Sequence, residues 1–145
     1  MGFDADALRR LGGDPPPRAQ PVTATYLLRV GLAAAVGAAL CNLVLLMIAN
    51  NQAWSVAVEG REPVRPLSVV LVCAVVGLLA ALAAYVAARV TKRPAVWVVV
   101  AGVGILLASV QGLPFALQVM HAITGAWVIG WLGMAVRGGT HLRDD

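Results

Sequence analysis

Residues 94–136 read PAVWVVVAGVGILLASVQGLPFALQVMHAITGAWVIGWLGMAV, forty-three residues in which His121 is the only side chain that titrates near neutrality. As one helix the stretch would run about 65 Å at 1.5 Å per residue, roughly twice the hydrocarbon thickness of a bilayer. It must therefore turn back on itself. Gln111-Gly112-Leu113-Pro114 supplies the reversal, because proline donates no backbone hydrogen bond and pushes the residue before it out of helical geometry. This divides the stretch into spans at about 95–112 and 118–136.

Working outward, Val30 to Ala49 contains no ionisable group except Cys41, and Leu67 to Ala88 none except Cys73 and Tyr85. Two earlier spans follow, at about 26–49 and 67–89. Lipid offers no partner for open backbone groups, so each span is expected to be helical. The whole chain agrees: 145 residues, 60% hydrophobic, 12% charged, mean hydropathy +0.83. An ordinary soluble domain holds about 45–50% apolar and about 25% charged residues. The expected fold is an all-α, four-helix transmembrane bundle occupying 26–136, with tails at 1–25 and 137–145.

Orientation follows from the bases. Arg9, Arg10, Arg18, Arg29, Arg89, Lys92, Arg93, Arg137 and Arg143 fall on one side, and only Arg61 and Arg65, beside Glu59 and Glu62, on the other. Positive residues stay cytoplasmic, which places both termini on the cytoplasmic side. Span one is expected to persist as a helix rather than act as a cleaved signal. Asp4, Asp6 and Asp14 precede it, Leu40 is a poor residue before a lipoprotein Cys41, and Asp6 stands where myristoylation needs Ser or Thr.

Helices in lipid associate by close packing at small residues and through a few hydrogen bonds. Small residues recur at i, i+4, i+8 in each span: Ala33, Gly37, Cys41; Cys73, Gly77, Ala81; Gly104, Ala108, Gly112; Ala122, Ala126, Gly130. In an antiparallel pair Cys41 and Cys73 lie at matching depths, about 12 and 9 Å below their outer ends. That register sets Gly37 against Gly77 and Ala33 against Ala81, with both thiols free. Asn42, the one strongly polar amide deep in span one, reads as an interhelical hydrogen-bonding group or as a functional one.

Few residues carry chemistry. Gln111, Gln118, His121 and Trp127 form a candidate polar pocket at the outer mouth of the last two spans, of a kind that holds a quinone or lipid headgroup. The alternative is an ordinary interfacial turn. His121 and His141 are separated by a membrane thickness and cannot jointly grip a haem. Ser109 has only His121 as a conceivable base, with nothing to orient it. No Asp, Glu, Lys or Arg lies within a span beyond Arg29 and Arg89 at their cytoplasmic ends, so neither a proton relay nor a charged ion path is legible. We read no enzyme, no catalytic residue, no cofactor and no metal site. The sequence pI of about 9.8 reflects anchoring bases facing anionic lipid rather than a nucleic-acid surface.

Arg93-Pro94-Ala95-Val96-Trp97 opening span three, and Met120-His121 opening span four, resemble an uncharacterised family of small four-helix integral membrane proteins common in actinobacteria. The resemblance covers about 26–136 and implies a fold without catalytic residues. The expected role is a non-catalytic accessory or scaffold subunit of a larger membrane complex. A homo-oligomeric small-molecule or lipid binder or transporter is the alternative. Residues 1–20 are expected to lie along a neighbouring subunit, with Phe3, Leu8 and Leu11 as apolar anchors and Arg9 and Arg10 facing acidic groups or lipid phosphates. A solvated tail is the other reading. Expected partners are other membrane subunits and anionic lipids, and not nucleic acid.

Overall fold

The computed structural model describes residues 22–54, 56 and 62–138, so the expected docking of residues 1–20 lies outside the described residues. Four helices follow in order: α1 Ala24–Asn51, α2 Pro66–Val90, α3 Pro94–Ser109 and α4 Phe115–Gly138. Their ends obey local rules. Thr23 caps α1, its hydroxyl oxygen accepting from the Tyr26 N–H at 3.2 Å. Pro66 and Pro94 open α2 and α3 at the position where a missing N–H costs nothing. Span three was expected to reach residue 112 and stops at Ser109. Gly112, at φ 72°, and Pro114 turn the chain there, and Leu113 N–H closes the turn on the Val110 carbonyl at 3.4 Å.

The C-terminus of α1 ends in a two-bond cap. Trp54 N–H donates to Ala49 O at 2.9 Å and Ala53 N–H to Asn50 O at 3.5 Å, with Ala53 at φ 52°. This Schellman-type cap normally carries glycine at its left-handed position. Its geometry delivers Trp54 edge-on to Phe115, with ring centroids 5.9 Å apart, which fastens the end of α1 to the start of α4.

α1, α2 and α4 are long and apolar enough to cross a membrane, and α3, at 16 residues, is the shorter apolar helix. Met47, Val90 and Ile105 are 69%, 72% and 70% exposed, an outer surface suited to lipid rather than water. α1 packs along both α2 and α4, while α3 leans chiefly on α4. Two core clusters divide the bundle along its length. One joins Leu46, Ala49, Val69, Cys73, Leu117 and Met120, and the other joins Leu27, Ala84, Leu132 and Val136.

The α1–α2 crossing is closest at Gly31 and Gly77. A Cβ on Gly31 would lie 2.6 Å from the Gly77 carbonyl oxygen, and one on Gly77 would lie 2.6 Å from the Gly31 carbonyl oxygen. The α2 stripe Cys73, Gly77, Ala81 is buried against α1 as expected from its spacing, but the α1 partners differ from the expected ones. Gly31 and Ala35, not Gly37, meet Gly77, and Gly31, not Ala33, meets Ala81. Ala33 is exposed, Cys41 is half-buried, and Gly37 lies under the Trp127 ring of α4. The buried α1 row is Gly31, Ala34, Ala35, Ala38, Asn42, Leu46 and Ala49.

The stripes on α3 and α4 also face outward, with Gly104, Ala108, Ala122, Ala126 and Gly130 exposed. The α3–α4 contact instead sets Gly102 against Ile129, Gly125 against Leu106 and Gly133 against Val99. Here large side chains fill glycine notches on the facing helix, whereas at Gly31 and Gly77 two glycines face each other. The physical reason is size: Ile129 and Leu106 occupy space that paired small residues would leave empty.

Two predictions follow from this packing. Gly77→Val, which forces a side chain into the Gly31 backbone, lowers stability by about 1–3 kcal/mol or prevents assembly. Gly104→Ala, where a Cβ meets nothing within 4 Å, is neutral or stabilising. Thermal unfolding in detergent of both variants checks the contrast, and equal losses would contradict the crossing. Ala53→Gly relieves the left-handed backbone of the α1 cap and raises stability by about 0.5–1 kcal/mol in the same measurement.

Candidate functional site

One polar cluster lies inside the bundle. Asn42 of α1 is 3% exposed, and its Nδ2 donates to Thr124 Oγ1 of α4 at 2.8 Å and lies 3.7 Å from Cys73 Sγ of α2. Cys73 Sγ stands 3.8 Å from Thr124 Oγ1, and the Thr124 hydroxyl donates to the Met120 carbonyl of its own helix at 3.0 Å. Three helices thus meet through three short side chains. Asn42 sits nine residues before the end of α1 and Thr124 nine residues after the start of α4, each about 14 Å at 1.5 Å per residue from the end where Trp54 meets Phe115. Matching depth is what allows the bond.

Asn42 Oδ1 is buried without a hydrogen-bond partner. An orphaned buried carbonyl costs about 1–3 kcal/mol, whereas a side-chain bond between membrane helices contributes about 0.6 kcal/mol on average and up to about 1.7. The penalty is at least as large as the gain. Asn42 therefore serves register: the bond forms only when α1 and α4 are aligned at this depth, and slipping either helix strands both the amide and the hydroxyl.

Sequence reasoning singled out Asn42 and Cys73 but missed Thr124. Its signal was present as a hydroxyl in the middle of α4, at the depth of Asn42.

The four residues of the expected outer pocket are not joined by a hydrogen bond or ring contact. Gln111 is exposed in the turn after α3, and Gln118 Nε2 donates to the Leu113 carbonyl at 2.8 Å. His121 Nδ1 lies 2.8 Å from the Leu117 carbonyl and donates to it, since a carbonyl can only accept. Trp127 packs over Gly37 and stacks on Trp131, with ring centroids 6.0 Å apart at an interplanar angle of 17°. Gln118 and His121 thus fasten the turn and the first turns of α4, while Trp127 fills the α1–α4 seam. Ser109 Oγ donates to the Leu106 carbonyl at 2.8 Å, so it too is bonded to its own helix.

Cys41 and Cys73 are free thiols. Among the described residues, no three of His, Cys, Asp and Glu converge as a metal site would require. No family model, curated protein or solved structure matches the chain.

The polar cluster makes an asymmetric prediction. Thr124→Val removes the acceptor and strands the Asn42 amide, costing about 1–2 kcal/mol. Asn42→Leu removes the orphaned carbonyl together with the bond and stays within about 0.5 kcal/mol of wild type. The double variant is no less stable than Thr124→Val alone. Equilibrium unfolding in detergent of the four proteins completes the cycle, and additive losses would show that the two side chains do not interact.

Proposed function

We propose that this chain is a four-span bundle in a bacterial cytoplasmic membrane, with both termini inside, that works as a non-catalytic accessory or scaffold subunit of a larger membrane assembly. The orientation rests on the nine bases of one side against two on the other. α3 alone is about 24 Å long, and the turns flanking it at 91–93 and 110–113 extend its reach toward the roughly 30 Å of hydrocarbon.

The observation that carries the reading is where the polar groups are spent. Asn42, Cys73 and Thr124 bond across the bundle, while Ser109, Gln118 and His121 bond to their own backbone. These groups hold helices and turns together. Outside, Gly104 and Gly130 are open positions on α3 and α4 where another helix could approach closely. This combination suits a protein whose work is contact with other membrane proteins. The unpartnered Asn42 Oδ1 favours the second reading, a small-molecule or lipid binder or transporter in which a ligand donor reaches that carbonyl.

Purification from its own membranes in mild detergent separates the two. A subunit brings down the same membrane protein at fixed stoichiometry, and Gly104→Leu or Gly130→Leu abolishes that association without lowering the thermal midpoint of the bundle. A protein that runs alone and is stabilised by a small molecule would support the binder instead.

A further inference from the structure

The basic end of the bundle, where α2 passes into α3, carries a surface that neither the core nor the polar cluster uses. Lys92 and Arg93 are exposed in that turn, and among the described residues neither side chain makes a hydrogen bond or ion pair. Arg29, Arg89 and Arg137 stand at the same end, since Leu27, Ala84, Ala88 and Val136 pack together there. Glu62 is the only acid among the described residues, and it is engaged with Arg65 at 2.6 Å, outside this turn. Arg89 is folded onto its own helix, with its guanidinium 5.1 Å from the Tyr85 ring centroid and donating to the Tyr85 hydroxyl at 2.9 Å.

Arg93 is also the N-cap residue of α3, with Pro94 in the first turn and no side-chain cap or acid there. The positive end of the helix dipole therefore adds to the two cations. Trp97, 57% exposed, lies in the first turn of α3, and its backbone N–H donates to the Arg93 carbonyl at 3.3 Å. The face of Trp97 continues through Ala101, Gly104 and Ala108, all exposed, while the opposite face, at Val99, Gly102 and Leu106, is held by α4.

We propose that Lys92, Arg93 and Trp97 hold the headgroup of an anionic phospholipid, with its phosphate on the two cations, the Trp97 indole at the headgroup boundary and an acyl chain along the outward face of α3. Among the described residues this end carries bases and no acid, and that charge selects the occupant. A zwitterionic lipid would bring its own ammonium among Arg29, Arg89, Lys92 and Arg93, whereas an anionic headgroup adds no positive charge. A free phosphate would satisfy the cations but make no use of the apolar face below them. Tryptophan at the interface suits the junction between a polar headgroup and hydrocarbon.

The test is native mass spectrometry of the full chain in detergent, with equimolar phosphatidylglycerol and phosphatidylcholine added. Wild type retains phosphatidylglycerol in preference, and Lys92→Gln and Arg93→Gln each reduce that preference about fivefold. Arg65→Gln, a base outside this turn, leaves it unchanged, and millimolar inorganic phosphate does not displace the lipid. Trp97→Ala, which keeps both cations, weakens retention of phosphatidylglycerol at an unchanged thermal midpoint, and so tests the site even if a charge variant fails to fold. Equal retention of the two lipids by wild type, an unchanged preference in both charge variants, an equal loss in Arg65→Gln, or displacement by inorganic phosphate would each overturn the proposal.

Discussion

The contact between the Gly31 and Gly77 backbones is the constraint on which the rest of the bundle depends. In lipid two apolar helices gain nothing from hiding apolar surface from water, so association rests on how closely their backbones approach and on what polar groups meet. Side chains at both positions would hold the helices apart, and the Ala35 and Ala81 methyl groups that flank the crossing would lose their contacts. With α1 and α2 so close, α4 fits against both. The Trp127 ring occupies the shallow site over Gly37, and Thr124 comes within hydrogen-bonding distance of Asn42.

Close packing and polar bonding do different work along α1. Toward its start the crossing is closed by backbone contact at Gly31, with no side-chain hydrogen bond between α1 and α2 there among the described residues. Farther along, Asn42 accepts an energetic penalty at its unpartnered carbonyl in return for a defined alignment with α4. At its end, the strained Ala53 cap sets Trp54 against Phe115. α3 stands apart from this scheme. Its contacts are mostly with α4, made by Ile129, Leu106 and Val99 seated over glycines, and its other face is open. The division between a three-helix centre and an attached fourth helix is consistent with outward faces that meet lipid or another protein.

The helices themselves were legible in the chain because their signals are local. The long uncharged stretches, the proline at the start of α2 and of α3, and the Gly112–Pro114 reversal each act within a few residues, so the four elements appear near their expected positions. The third helix was overextended by three residues because the left-handed turn at Gly112 requires backbone geometry that composition does not reveal. The local bonds at the expected outer pocket were not legible for a similar reason. Gln118 and His121 find backbone carbonyls five and four residues away, and such local bonds compete with any shared site.

The choice of face was a different matter. Alanine and glycine are so common in α1 that the rows through Gly31 and through Gly37 both present small residues, and size alone cannot rank them. Asn42 could have ranked them, since an amide deep in a span belongs inside, and counting back from it by helical steps reaches Ala38, Ala35 and Gly31. By itself the sequence determined an apolar, helical chain with its reversals and its basic end, because those depend on burial in lipid and on neighbours along the backbone. Only the tertiary structure decided that Gly31 meets Gly77, that Trp127 covers Gly37 and that Thr124 completes the polar cluster, because each depends on the depth and rotation of one helix against another.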